Sequence, residues 1–392
     1  MPGGRMPKME NQMPYAHGRT YYDADSHLME FSEWLPQYAD PAIRDRIRPL
    51  YLGGAGGGAA QLIERARMRG SDAEATRKLE DNLMGTKGWL ALGAFNPAER
   101  SRALDLLGVE RQLVFPTFAI TQFQGTDAEL LWGGTRALNR AMGDFCSRDR
   151  RLIAVGWVPW DDPERTLLEA REAAKAGCGA IQVNSMPAGN RSPTHPAYHP
   201  FWAFLQDHNI PFMLHVGGGG RPLRRAFVNN GKPPTTDWLG GGENIRSKDY
   251  MTLHQIPEQF LAAMVLDGIL EQFPNLRGGV IEQGALWLPA LLTRLDLCQA
   301  IFKKTEPALH LPLKASDYLR RQVKVTPYPT EPVGWIIENA SAETVLFSTD
   351  YPHPEGGRDP IARFEATLHS IGEEAKEQFY HRNFAVMMGY EG

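Results

Sequence analysis

Residues 343–356 read ETVLFSTDYPHPEG, a short apolar run that ends in a carboxylate flanked by prolines. The run Val345–Ser348 predicts a buried strand, and Pro352 and Pro354 prevent a helix from starting at once. We therefore expect Asp350 to lie at the carboxyl end of a strand. In parallel α/β barrels, this is the rim where reactive side chains are found.

Seven further apolar runs, each followed by a segment of helical periodicity, predict the remaining strands. They are Tyr21–Asp25, Gln112–Phe115, Leu152–Val158, Ala180–Val183, Phe212–Val216, Gly279–Glu282 and Val323–Thr326. Eight strands alternating with helices indicate a closed (β/α)8 barrel, the TIM barrel. A doubly wound open sheet is the alternative, but it offers no reason for reactive side chains after the first, fifth, sixth and eighth strands.

The domain organisation follows from the stretches that interrupt this rhythm. We expect residues 1–19 to be a flexible lead-in and residues 20–392 to form a single barrel domain. An insertion at about 36–102 predicts a cap or a subunit contact beside the barrel mouth. A Gly- and Pro-rich insertion at 217–250 is typical of an active-site lid. Extra helices are expected from Pro360 onward.

Composition narrows the class of partner. The 42 basic and 46 acidic residues give a net charge of −4, which favours a small-molecule substrate over nucleic acid or an anionic membrane. No stretch approaches the roughly 20 apolar residues of a membrane span. The three cysteines form no CxxC pair, and together with the polar, proline-containing N-terminus they favour a cytoplasmic protein.

Two motifs place ligand-type side chains at predicted strand ends. In YYDADSHLMEF, residues 21–31, Asp25 and His27 are two apart on a strand, so both face the same way and can reach one ion. In IPFMLHVGGGG, residues 210–220, His215 ends an apolar run before glycines that permit close approach by a substrate. A polar strand end and a satisfied core histidine are the alternatives.

The motifs DADSH, MLHVGGG, FPNLRGGVIEQGALWLPALLTRLD and FSTDYPHPEG, in this order, resemble those of the amidohydrolase-related decarboxylases. That family includes aminocarboxymuconate semialdehyde, γ-resorcylate and 5-carboxyvanillate decarboxylases, and the resemblance spans about residues 21–388. It implies that Asp25, His27, His215 and Asp350 ligate a metal ion. It also implies Zn²⁺ or Mn²⁺, an acidic aromatic or unsaturated substrate, and a homodimer or larger assembly.

The chain departs from this family at the sixth strand. Glu282, in GGVIEQGALW, stands where those decarboxylases carry a histidine that handles the proton. Glu282 is therefore a candidate acid or base, a candidate metal ligand, or a structural carboxylate bonded to Arg294 or Gln283. Glu30, Glu282 and His353 are candidate ligands of a second ion, a carboxylate-rich set that suits iron or manganese.

The catalytic candidates are thus Asp350, Glu282 and His215, and the substrate-binding candidates are Arg294, Trp89 and Trp287. We expect a metal-dependent enzyme that performs non-oxidative decarboxylation or hydrolysis of a small acidic or aromatic substrate. One alternative is a dinuclear non-haem iron, or mixed manganese–iron, hydroxylase on the same barrel. Another is a non-catalytic partner subunit in a hetero-oligomer.

Overall fold

The computed structural model describes residues 13–52, 56–70, 72–187, 189–218, 223–233 and 247–390. Its strands form one parallel sheet of eight. In chain order they are β1 (Tyr22–Asp23), β2 (His27–Leu28), β3 (Arg111–Pro116), β4 (Leu152–Val158), β5 (Cys178–Val183), β6 (Phe212–His215), β7 (Gly278–Ile281) and β8 (Val323–Val325).

The sheet closes into a barrel through the segment at 345–351, which pairs on both sides without forming a regular strand. On one side Leu346 N donates to Val325 O of β8 at 2.9 Å. On the other side Ala24 N donates to Phe347 O at 3.0 Å, beside β1. Neighbouring strands otherwise follow chain order, with β1 and β2 both beside β3. The expected barrel is therefore confirmed. The doubly wound open sheet, the alternative, is wrong because the first and last segments of the sheet are bonded through residues 345–351.

Helices cover the outside of the barrel and build the insertions. Those between β2 and β3 are α1 (Pro41–Arg44), α2 (Gly56–Arg69), α3 (Ala73–Asp81) and α4 (Pro97–Leu107). Those from β3 to β7 are α5 (Ala128–Cys146), α6 (Pro163–Lys175), α7 (His199–Asp207), α8 (Arg225–Val228), α9 (Ser247–Tyr250), α10 (Gln255–Leu266) and α11 (Ile269–Gln272). The rest are α12 (Leu288–Phe302), α13 (Ala315–Gln322), α14 (Val333–Asn339), α15 (Pro360–Glu365), α16 (Glu373–Glu377) and α17 (Asn383–Met388).

Glycine splits two stretches in which helical periodicity alone predicts a continuous helix. Residues 257–272 divide between α10 and α11 at Gly268, which has φ of 77°. Residues 61–83 divide between α2 and α3, with α2 ending before Gly70, which has φ of 48°. Positive φ ends a right-handed helix, and only glycine adopts it without steric cost. Of the expected lid at 217–250, residues 219–222 and 234–246 lie outside the described residues.

The barrel interior is filled by apolar side chains over most of its length. Leu113, Val155, Met213 and Ile281 are fully buried in it. Met387 and Met388 of α17 belong to the same cluster and cover the amino ends of the strands. Most polar side chains of the interior are therefore found at the carboxyl ends. None of the helices in the described segments is long and apolar enough to cross a membrane.

Lys324 of β8 is an exception to the apolar rule and gives a pH-dependent prediction. Its side chain is 3% exposed, and its Nζ donates to Arg320 O at 2.9 Å. Burial lowers the pKa of Lys324 from its usual 10.5 to about 8. The folded state therefore disfavours the charged lysine, and this penalty is present in full below pH 8.

Replacing Lys324 by Met should remove that penalty. Wild-type stability should rise as the pH increases from about 8 to 10.5, by roughly 2–3 kcal/mol from this group, because the unfolded state then holds the extra proton. Urea unfolding at pH 7 and pH 10 measures this, with the exposed Lys303→Met as control. The same pH slope in wild type and Lys324→Met would contradict the assignment.

Candidate metal centre

Six ligand-type side chains converge at the carboxyl ends of the strands, and we call them the ligand cluster: Asp25, His27, His215, Glu282, Asp350 and His353. They form two overlapping groups of four, which share His27 and Glu282. Within each group, the ligand atoms all lie within 4.8 Å of one another. Every residue of the cluster is buried.

Between β1 and the end of β2, two ligand-type side chains face the same way, as the alternation predicts. Asp25 and His27 face the cluster, whereas Ser26 between them faces away and donates to Leu113 O at 2.6 Å. Barrel closure fixes the backbone of this segment, because His27 N donates to Tyr351 O at 2.8 Å. The same pairing brings the Asp350 segment alongside, with Asp350 N donating to Asp25 O at 2.9 Å.

The distances inside the cluster suit a shared cation. Asp25 Oδ1 lies 3.3 Å from His27 Nε2 and 3.5 Å from His215 Nε2. Glu282 Oε2 lies 3.6 Å from His215 Nε2. Ligand atoms bound at about 2.0–2.2 Å to one ion lie roughly 3.0–3.4 Å from each other. The observed separations therefore need only small adjustments to accommodate a divalent metal ion.

The hydrogen bonding of the cluster also indicates a bound cation. Asp25 Oδ1, His27 Nε2 and both carboxylate oxygens of Asp350 are buried, and none has a hydrogen-bond partner among the described residues. A buried carboxylate oxygen without a partner is costly, and a metal ion removes that cost. The residues present thus fit a divalent cation, with nitrogen from the histidines and oxygen from the carboxylates.

Thr117, just after β3, orients two of the histidines. Its hydroxyl donates to Leu28 O at 2.9 Å, so its oxygen is left to accept from the ring nitrogens His27 Nδ1 at 3.3 Å and His353 Nε2 at 3.1 Å. Each imidazole is thereby turned with its other nitrogen towards the cluster. His215 is oriented separately, because its Nδ1 donates to Val216 O at 3.1 Å. Such outer contacts fix the tautomer of a metal-binding histidine.

Burial and neighbouring charges shift the pKa values of these imidazoles in opposite directions. Burial, reinforced by His353 and His215, lowers the pKa of His27 well below 6.5, so this ring is neutral and its Nε2 can bind a metal. Burial also acts to lower the pKa of His353, but the Asp350 carboxylate, 3.1 Å from its Nδ1, raises the pKa to about 9. Metal binding at His353 would release that proton.

Glu282, directly after β7, and Asp350, in the closing segment at 345–351, both have a strained backbone conformation. Glu282 has φ of 55° and Asp350 has φ of 51°, and they are two of the three non-glycine residues with positive φ in the described part of the chain. Such a conformation costs about 1–3 kcal/mol and is concentrated at functional sites. Both side chains are thus turned into the site at an energetic cost that the fold tolerates.

A buried network behind the first strand supports this geometry. Arg100 is fully buried and donates to Gln112 Oε1 at 3.0 Å and to Ser26 Oγ at 2.9 Å. Gln112 in turn donates to Asp23 at 2.8 Å, and Asp23 accepts from Thr349 N at 2.8 Å. Burial raises the pKa of Asp23 to about 6. The network joins the segment before Asp25 to the segment before Asp350.

Glu30, expected as a candidate second-ion ligand, has a different role. Its buried carboxylate accepts from three backbone amides, Thr117 N at 2.8 Å, Phe118 N at 2.9 Å and Ala119 N at 3.4 Å. It lies outside both groups of ligand-type residues. Glu30 therefore holds the loop that carries Thr117, because its oxygens are already committed to that loop.

The three substrate-binding candidates make the following contacts within the chain. Arg294 is on the exposed side of α12, where its guanidinium binds Glu258 at 2.5 Å, so it is not the partner of Glu282 considered above. Trp89 is buried, stacks on Phe118 at 5.3 Å and donates to Glu30 O at 3.0 Å. Trp287 is buried and donates to Gly284 O at 2.7 Å. Both indoles are packing residues in these contacts.

Three residues near the site were not singled out from the sequence. Thr117 follows a strand end, which is the one sequence signal that could have flagged it. Tyr328 lines the small cavity beside Asp350 and donates to Glu282 O at 2.8 Å. Lys87, from the 36–102 insertion, has a buried ammonium without a hydrogen-bond partner among the described residues. Burial, opposed by Asp350 and Glu355, lowers its pKa to about 8.

Fold and site together define a (β/α)8 barrel with a buried cluster of histidines and carboxylates at the rim, the class of metal-dependent barrel enzymes. The amidohydrolase family model matches residues 22–385. The chain belongs to the amidohydrolase family.

The chain is similar in sequence to known decarboxylases and similar in fold to solved structures. A γ-resorcylate decarboxylase from Rhodococcus jostii (strain RHA1) is 26% identical over 231 residues, which cover 55% of this chain and 65% of the relative. The match thus spans about two thirds of that enzyme's length.

Among solved structures, an amidohydrolase from Mycobacterium avium subsp. paratuberculosis K-10 is similar with a TM-score of 0.72 and 20% identity, covering 96% of this chain and 99% of that one. A dihydroxybenzoic acid decarboxylase from Polaromonas sp. JS666, solved with manganese and the inhibitor 2-nitroresorcinol, has a TM-score of 0.59 and 18% identity, covering 94% and 97%. At these identities the likeness shows the fold.

The orienting role of Thr117 is testable by substitution. Thr117→Val should weaken metal affinity by about 10–100-fold, because the rings of His27 and His353 lose their common acceptor. Thr117→Ser keeps the hydroxyl and should bind metal as the wild type does. His215→Ala, which removes a ligand outright, gives the lower reference.

Metal affinity is measured by competition with a chelator, and circular dichroism checks that each variant is folded. Equal affinity in Thr117→Val and Thr117→Ser would contradict the role of the hydroxyl. Unchanged metal content in a folded His215→Ala would contradict its assignment as a ligand.

Proposed function

We propose that this chain is a metal-dependent decarboxylase that removes CO₂ from an aromatic acid. The observation that carries the proposal is the ligand cluster, in which three carboxylates and three histidines are buried together at the barrel rim. The γ-resorcylate decarboxylase relative and the manganese-bound dihydroxybenzoic acid decarboxylase support the reaction type. Non-oxidative decarboxylation needs positive charge near the substrate and a proton donor; an ion held by the cluster would supply the first, and a carboxyl group of the cluster the second.

Asp25, His27 and His215 would hold the ion, with Asp350 completing the set. A carboxylate-rich donor set suits manganese, and manganese is the ion in the Polaromonas structure. When bound, the ion supplies positive charge that draws electrons from the substrate. The residues at the carboxyl ends of the strands exclude bulk water from the cluster. They also hold the acidic groups next to the reacting carbon.

Glu282 is the proposed proton donor, in the place where related decarboxylases carry a histidine. Its carboxyl group gives a proton to the ring carbon that bears the substrate carboxylate. The bond between that carbon and the carboxylate then breaks, its electron pair returns to the ring, and CO₂ leaves. Solvent returns the proton to Glu282, and Asp350, in the same group of four, shares this acid–base role.

The reaction is tested with 2,6-dihydroxybenzoate and the manganese-loaded protein in D₂O. Decarboxylation releases CO₂ and leaves one deuterium on the ring carbon that lost it. Hydrolysis, the other reaction open to such a site, would instead cleave an ester or amide and release no CO₂. Turnover of esters or amides with none of any aromatic acid would overturn the proposed decarboxylation.

Glu282→Gln should lower the decarboxylation rate by about 10²–10⁴-fold, the usual contribution of general acid–base catalysis. The ion should remain bound, because Asp25, His27 and His215 are intact. Steady-state CO₂ release and elemental analysis of the same sample measure both effects. The exposed Glu306→Gln is the matched control. A wild-type rate in Glu282→Gln would remove this residue from the mechanism.

A second candidate, a dinuclear non-haem iron hydroxylase, is favoured by one observation. His27, Glu282, Asp350 and His353 form a second group of ligand-type residues beside the first. Two neighbouring positions could thus hold two ions, with Glu282 and His27 common to both groups. Such a hydroxylase would consume O₂ and a two-electron reductant, placing one oxygen atom in the substrate and the other in water.

Counting ions separates the two candidates. The hydroxylase requires two ions per chain, including iron, and His353→Ala should lower the count to one, whereas the exposed His369→Ala should not. The decarboxylase requires one ion, and the count should be the same in wild type and His353→Ala. Elemental analysis with oxygen-electrode measurements decides: two ions with O₂ consumption would replace the decarboxylase by the hydroxylase.

The assembly we propose is a homodimer formed through the outer face of α12. Leu297, Ile301 and Phe302 lie on this helix with exposed fractions of 56%, 65% and 44%. A second copy would bury these apolar side chains. Sedimentation of the purified chain tests the dimer, and a monomer at all concentrations would exclude it.

A further inference from the structure

Among the described residues, the ligand cluster has one small cavity beside its carboxylates. The cavity lined by Asp25, Glu282 and Asp350 measures about 20 Å³, which is space for a single water molecule. A substrate that presents one carboxylate to the cluster must therefore place the rest of its body elsewhere.

A larger cavity begins two residues from a ligand. It is lined by Gly217 and Gly218, which follow His215, and by residues after the ends of β3, β4 and β5; we call it the mouth cavity. Its volume is about 570 Å³. A cavity of about 150 Å³ already holds a benzene ring, so the mouth cavity has room for more than one ring.

Rigid contacts form one wall of the mouth cavity. Trp157 lines it, and Asn139 clamps the Trp157 backbone by donating to its carbonyl at 3.1 Å and accepting from its amide at 2.8 Å. Asn184, also in the lining, has its carbonyl bonded by Trp160 Nε1 at 2.7 Å. The wall therefore exists before a ligand arrives, which lowers the entropic cost of binding.

The glycines bring the cavity close to the cluster. Gly217 has φ of 78°, and a Cβ added at Gly218 would lie 3.1 Å from His215 O. A side chain at Gly218 would therefore crowd the turn that joins His215 to the cavity lining.

The chemistry of the lining selects the ligand. Leu131, Trp157 and Met186 are the large apolar side chains among the described residues of the lining, and Asp161 is the charged one. Among the described residues of the lining, a second anionic group on the substrate would therefore meet this carboxylate and no cationic side chain. Asn184 Oδ1 is buried with no hydrogen-bond partner among the described residues, so it can accept from a hydroxyl group.

We infer that the substrate is a bulky aromatic acid of two or more fused or linked rings, whose distal, uncharged and hydroxylated ring lies in the mouth cavity. This inference rests on the proposed decarboxylase function for the carboxylate end alone. It differs from the single-ring dihydroxybenzoic acid of the Polaromonas enzyme. The distal ring packs on Trp157 and Leu131 and donates its hydroxyl to Asn184.

Three acids test the inference step by step: 2-hydroxybenzoate, 3-hydroxy-2-naphthoate and 3,5-dihydroxy-2-naphthoate. The first is the single-ring reference, the second adds a second ring, and the third adds a hydroxyl group on that second ring. Binding to manganese-loaded protein is measured by isothermal titration calorimetry. We expect about tenfold tighter binding for the second ring and a further gain of about fivefold for the hydroxyl, in line with buried area and one hydrogen bond.

Two variants assign these gains to the cavity. Met186→Trp fills it from a half-exposed position and should abolish the gain from the second ring, whereas the exposed Met68→Trp, outside the lining, should not. Asn184→Leu should lose only the gain from the hydroxyl. None of these residues belongs to the ligand cluster.

The outcomes distinguish this inference from the proposed reaction. Equal or weaker binding of the naphthoates would overturn the inference, and CO₂ release from 2-hydroxybenzoate would then leave the decarboxylase standing. Tight, Met186-dependent binding of the naphthoates without CO₂ release would support the mouth cavity and contradict the decarboxylase.

Discussion

Two backbone hydrogen bonds at the closure of the barrel govern the site. Asp350 N donates to Asp25 O, and His27 N donates to Tyr351 O, so residues more than 300 positions apart in the sequence share one rim. These bonds align the first pair of ligands with Asp350 and His353. Without closure, the sheet would have two edges and the ligands of the first and last segments would lie on opposite sides.

Closure also explains why the site can be so polar. The barrel is filled with apolar side chains up to the carboxyl ends of the strands, and the amino ends are covered by α17. Asp25 Oδ1, His27 Nε2 and both carboxylate oxygens of Asp350 are therefore buried without a hydrogen-bond partner among the described residues. A bound cation would resolve this conflict, because it would interact with the carboxylates together, and burial already keeps His27 neutral and able to bind it.

Much of this could be read from the sequence, and the limits have physical causes. The eight barrel segments and the common rim of Asp25, His27, His215 and Asp350 follow from strand alternation and from parallel strands ending at one edge, whereas the convergence of Glu282 and His353 becomes visible only in the structure. The contacts of Glu30 could not be predicted from the sequence. A buried glutamate that binds a metal and one that accepts hydrogen bonds from backbone amides look the same in a sequence. Arg294 shows a similar limit, since the register of α12 decides its exposed position.

The hydrogen bonds that orient the histidines and the first strand could not be predicted from the sequence for a different reason. Thr117 acts through one hydroxyl that is shared between two rings, and Arg100 acts through Gln112 and Ser26. A threonine or an arginine carries no pattern by itself, and only the three-dimensional fold brings these partners together. The volume of the mouth cavity depends likewise on loops after β3, β4 and β5, whose paths have no periodic signal.

The most direct test of the central claim is anomalous X-ray diffraction from crystals of the manganese-loaded protein, recorded at the manganese edge. The account predicts a peak within coordination distance, about 2.0–2.3 Å, of Asp25, His27 and His215. A peak bound elsewhere on the chain, or no peak in crystals grown with excess manganese, would contradict the claim that the ligand cluster is a metal centre.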